Sequence, residues 1–104
     1  MSSPDPIMVL QEQFGSQWDR LEPGIKAAMG VTMKDLSGLL AEAVAGHDVE
    51  RELLLVRATI KAYESGAVSH LAGTFKRAAE RYLRLVVSAV TWTVIQSVGE
   101  ELSG

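Results

Sequence analysis

Apolar residues recur at helical spacing over most of this chain. Ile7, Leu10, Phe14, Trp18 and Leu21 form a first stripe, and Leu36, Leu39, Leu40, Ala43 and Val44 a second. Val49, Leu53, Val56, Ile60 and Tyr63 form a third, alternating steps of four and three like a short coiled-coil seam, with Leu54, Ala58 and Ala62 as a second apolar strip beside it. Leu71, Phe75, Ala78, Ala79, Tyr82 and Val86 form the last. Such i, i+3, i+4, i+7 recurrence marks one face of an amphipathic α-helix. The punctuation between stripes is equally helical. Asp5 before Pro6 reads as an N-cap with proline at the first helical position. Gly15 weakens the first helix without ending it, and Glu22-Pro23-Gly24 breaks it. A short helical turn is expected to Met29, capped by Gly30, with Thr32-Met33-Lys34-Asp35 as a weak capping box for the next helix. Gly46 closes that helix, Asp48 caps the following one and Ser65-Gly66 ends it. Gly73-Thr74 offers a further break.

The stretch from Phe75 to Leu102 organises the rest. Its first half is basic and amphipathic; its second half is apolar on several sides. Leu83, Val86, Val87, Val90, Val94 and Val98 make a stripe that can face the chain's own core, with Leu85, Trp92 and Ile95 left outside it. The alternation in Val90-Thr91-Trp92-Thr93-Val94 and its β-branched residues suit a strand. Helix is favoured, because no Gly or Pro separates this segment from the helical run before it. Leu85 to Val98 carries no charge but falls short of the roughly 20 residues a bilayer span requires.

These patterns predict an all-α fold: a small helical bundle of about four helices with a long C-terminal helix. Residues 1–104 are expected as a single helical domain, with 1–5 as a flexible N-terminal tail. A chain of 104 residues with 47% hydrophobic content can build a core, but a thin one, and oligomerisation is a common remedy. There are no cysteines, which excludes a disulfide scaffold and a thiolate zinc site. The N-terminus lacks a basic region followed by an apolar run, so a cytoplasmic location is expected.

The net charge of −3 conceals an asymmetry. Residues 1–50 hold eight acids and three bases, residues 51–84 seven bases and three acids, and residues 85–104 two acids and no base. Opposed charge of this kind favours attraction within a bundle or between chains. It also exposes a basic face of His70, Arg77, Arg81 and Arg84, with Lys76 beside it, suited to an anionic partner. Glu80, four residues from both Lys76 and Arg84, can neutralise part of that face.

Catalytic signals are missing. The chain has no phosphate-binding glycine loop, no nucleophile elbow and no His-Glu-x-x-His pair. His47, Asp48 and Glu52 are the nearest approach to a metal cluster, and capping plus surface charge accounts for them. No enzyme activity, cofactor or metal is expected. The function expected is that of a non-enzymatic assembly or adaptor protein acting through helix–helix contacts with its own copies or another helical protein, with Leu85, Trp92 and Ile95 at the interface. A nucleic-acid-binding subunit using Arg77, Arg81 and Arg84 is a second expectation. A membrane-associated regulator using the apolar C-terminal segment is a third.

Overall fold

The computed structural model describes residues 5–66 and 68–103, with side chains through Trp92 and at Ile95. Four α-helices follow one another: α1 Pro6–Phe14, α2 Pro23–Val44, α3 Glu50–Ser65 and α4 Ser69–Ser103. A 3-10 helix, Gly15–Arg20, links α1 to α2. There is no strand among the described residues, so the Val90–Val94 alternation is helical. The protein is an all-α bundle.

Asp5 caps α1 as its sequence position implies. Its Oδ1 accepts from the backbone N–H groups of Ile7 and Met8 at 2.9 and 3.1 Å, satisfying donors that the first helical turn cannot pair internally. Asp5 therefore belongs to the fold rather than to a tail; the remainder of the expected tail, 1–4, lies outside the described residues. Gly15 does more than weaken α1. It ends the α-helix with φ at +58°, a conformation that favours glycine, and the chain tightens into the 3-10 segment. Leu10 and Phe14 are buried, while Ile7, Trp18 and Leu21 pack against the core from its edge.

The expected stop at Gly30 does not occur. α2 starts at Pro23 and continues unbroken through Gly30 to Val44. Gly30 is buried because α1 crosses there: a Cβ on it would stand 3.2 Å from Ile7 Cδ1. Thr32 is likewise no cap; its hydroxyl is buried and donates to the Ala28 carbonyl at 3.2 Å. The true end comes at Gly46, φ +88°. There the N–H of Gly46 donates to the Ala43 carbonyl and that of His47 to Glu42, at 3.1 and 3.0 Å, the paired bonds of a Schellman motif. Asp48 Oδ1 then accepts from the Glu50 N–H at 3.0 Å, but the N-cap of α3 is Val49, one residue beyond the expected cap.

α4 packs against each of the other three helices. Ala72, Phe75, Ala78, Ala79, Tyr82 and Val86 form its buried face. The rings of Phe75 and Tyr63 lie 4.7 Å apart, tilted, which ties α4 to α3 by an edge-biased aromatic contact. The alanines let neighbouring helices approach closely. Gly73-Thr74 is no break, since α4 passes through it; with no neighbour to force a turn, one glycine does not outweigh the packing of Phe75 and Ala78. Val49, Val56 and Ile60 are buried from α3, but its second strip, Leu54, Ala58 and Ala62, faces solvent.

The expected second core stripe on α4 is only partly realised. Val86 is buried and Leu83 half-buried, while Val87 and Val90 are exposed; the side chains of Val94 and Val98 lie outside those described. The reason is length. At about 1.5 Å per residue, α4 is about 52 Å long and α2, the next longest, about 33 Å. Val90 already lies level with the α2–α3 connection, lining a cavity with His47, Val49 and Leu53. α4 thus outruns the helices that could cover it, and the molecule measures 57 × 29 × 17 Å.

Candidate interaction surfaces

Two features of α4 coincide with residues singled out by the sequence. The first is the basic face. His70, Lys76, Arg77, Arg81 and Arg84 are all exposed, as the polar side of an amphipathic helix must be. Much of their charge is answered from within the chain. Arg81 Nη1 donates to Glu12 Oε2 of α1 at 3.3 Å. Lys76 Nζ lies 3.3 Å from Glu64 Oε1 of α3, not on Glu80. Arg84 pairs with Glu80 within α4 at 4.0 Å, and Arg77 donates to the Thr74 hydroxyl at 3.2 Å. The link to α1 joins residues 69 positions apart and that to α3 joins consecutive helices, so helical spacing within α4 could not have revealed either; the charge asymmetry hinted at the first.

The second feature is the exposed apolar end. Leu85, Trp92 and Ile95 are 43%, 60% and 56% exposed. Together with Ser88 they follow steps of three, four and three, so they lie on one face of α4, adjoining Arg81. Trp18 has the opposite fate. It sits half-buried with its ring 6.1 Å from that of Phe14 and Lys26 Nζ 5.7 Å above it. The two tryptophans thus differ in environment as their positions on and off a core stripe suggest.

Tyr82, on the buried face of α4, is fully buried. Burial pushes its phenol above the ordinary value near 10, the Asp5 carboxylate raises it further and the Arg81 guanidinium draws it back.

His47 and Asp48 lie at the α2–α3 connection, where Asp48 accepts from the Glu50 N–H, and no group of His, Asp and Glu among the described residues could hold a metal ion. No helix among them is long and apolar enough to cross a membrane. Val87, Val90, Leu54 and Leu55 are also exposed; Val90 lies only one turn beyond buried Val86, so helical spacing alone could not reveal where the covering helices end. Comparison with known proteins finds no family model that matches the chain, nor any matching curated protein or solved structure.

Proposed function

We propose that this is a non-enzymatic assembly protein that associates with a second copy of itself through the projecting end of α4. One observation carries the reading: Leu85, Trp92 and Ile95, three large apolar side chains, stand exposed on one face of a helix that outruns its own bundle. A contiguous apolar patch left in water is unusual for a soluble monomer, and a two-fold dimer is the commonest cover.

The pattern along α4 favours an antiparallel pair centred near Val90. In that register Leu85 of one copy lies level with Ile95 of the other, and the small Ser88 lies level with the large Trp92. Large and small side chains thus meet along the pair, as in coiled-coil seams. Wild-type protein should therefore be a dimer by light scattering. Trp92→Glu with Ile95→Lys should give a monomer with unchanged helical circular dichroism. A wild-type chain that stays monomeric at high concentration would exclude the reading.

A further inference from the structure

α3 and α4 lie side by side, and away from α2 they leave an open groove of about 920 Å³. Its floor is apolar: buried Ile60, half-buried Leu83 and partly exposed Val87. Its rims are charged, with Arg57 and Lys61 on α3 and Lys76 and Arg84 on α4, against two carboxylates. Both carboxylates are already engaged, Glu64 by Lys76 and Glu80 by Arg84. Among the described residues Arg57 and Lys61 meet no carboxylate, although they stand one turn apart on the same side of α3. A chain of net charge −3 thus concentrates positive charge around an apolar trough.

We propose that this groove binds an acidic amphipathic helix of another protein, with its apolar face on Ile60, Leu83 and Val87 and its carboxylates toward Arg57 and Lys61. The occupant follows from shape and charge. Two helices side by side present ridges and a furrow into which a third helix packs, and recognition of this kind reads anchors at i, i+3, i+4 and i+7. A flat bilayer would touch the rims without reaching the recessed floor, and would set its anionic headgroups against Glu64 and Glu80. The groove meets the proposed dimer face at Ser88, which lines both, while Leu85 and Trp92 lie across α4 from Leu83 and Val87. If both hold, a dimer offers two grooves and can bind a bivalent partner with avidity.

The test uses the full chain and fluorescein-labelled peptides of about four helical turns, or about 14 residues. One carries leucine at i, i+3, i+4 and i+7 with glutamate on the outer face. The second has lysine for each glutamate, and the third is a scramble of the first. Anisotropy should show saturable binding of the glutamate peptide alone. Affinity should fall at least about tenfold for Arg57→Glu with Lys61→Glu, in line with charge pairs at protein interfaces. Val87→Asp, at an exposed position, should weaken it independently. Arg20→Glu with Arg51→Glu makes the same charge change away from the groove and should bind like wild type; circular dichroism verifies that each variant is folded. Equal binding of the scramble or the lysine peptide would overturn the proposal, as would equal losses in the groove and control variants. Groove-dependent binding of oleate or of anionic phosphatidylserine vesicles, without peptide binding, would replace the helix with a lipid.

Discussion

Two glycines in α2 separate what a missing side chain can mean. Gly38 is exposed, and a Cβ added to it would meet nothing within 4 Å. Gly38→Ala should therefore raise stability by about 1 kcal/mol, the propensity difference within a helix, visible as a higher urea midpoint. Gly30 lies where Ile7 closes over α2. Gly30→Leu should lower stability by about 1–3 kcal/mol, because the added side chain must prise α1 away. Nothing local distinguishes these glycines in the sequence, and both resemble helix punctuation. The use of Gly30 as space is set by α1, which is remote in the chain, whereas the cap at Asp5 was readable because all its partners lie within three residues. Tyr82 adds a pH dependence of definite sign. Its phenol is held neutral above the ordinary value near 10 by burial and by the Asp5 carboxylate. The unfolded chain thus loses this proton first, and the resulting stability, complete below pH 10, declines as pH rises through the folded-state value. Tyr82→Phe should show a shallower loss of stability than wild type above pH 10 in urea titrations repeated at each pH.

Among the elements, α1, α2 and α3 bury most of the stripes their periodicity announces, since an amphipathic helix in a small bundle has one core to meet; Val44 at the end of α2 and Leu54 on the second strip of α3 stay 71% and 61% exposed. Element boundaries were less legible. α2 absorbs two expected breaks because its buried face continues across them through Met29, Met33 and Leu36, and packing outweighs a glycine cost of about 1 kcal/mol. α4 does the same at Gly73. The basic face of α4 is bound to its neighbours by exposed pairs, Arg81 with Glu12 and Lys76 with Glu64, each side chain at least 43% exposed. Such pairs contribute about 0–1 kcal/mol each. Changing Arg77, Arg81 and Arg84 together to Gln should therefore move the unfolding midpoint little, as measured by urea denaturation at low protein concentration. A steep, salt-dependent affinity of wild type for DNA or RNA, abolished in that triple variant, would instead promote the arginines to a phosphate-binding role.

At the scale of the whole molecule, the decisive quantity is the mismatch between α4 and its bundle. A helix of 35 residues lies against partners of 9, 22 and 16, so its later part cannot be covered from within one chain. The sequence displayed the apolar residues of that part but not which of them the bundle would reach, because the answer depends on where α3 and its connection end along α4. Burial stops at Val86 among the described side chains, and Leu85, Trp92 and Ile95 lie at or beyond that limit. If a second copy covers them in the antiparallel register, Leu85 of each copy lies level with Ile95 of the other and far from its own counterpart. The chain has no cysteine, so single cysteines report that register. Leu85→Cys mixed with Ile95→Cys should give a mixed disulfide under mild oxidation, read on a non-reducing gel. Either variant alone should not cross-link, because the two copies of position 85 then stand about 15 Å apart along the axis at about 1.5 Å per residue, beyond the reach of a disulfide. A parallel pair would set each position against itself. Self cross-linking of Leu85→Cys, with no preference for the mixture, would overturn the antiparallel register and leave apolar adhesion of the Trp92 face alone.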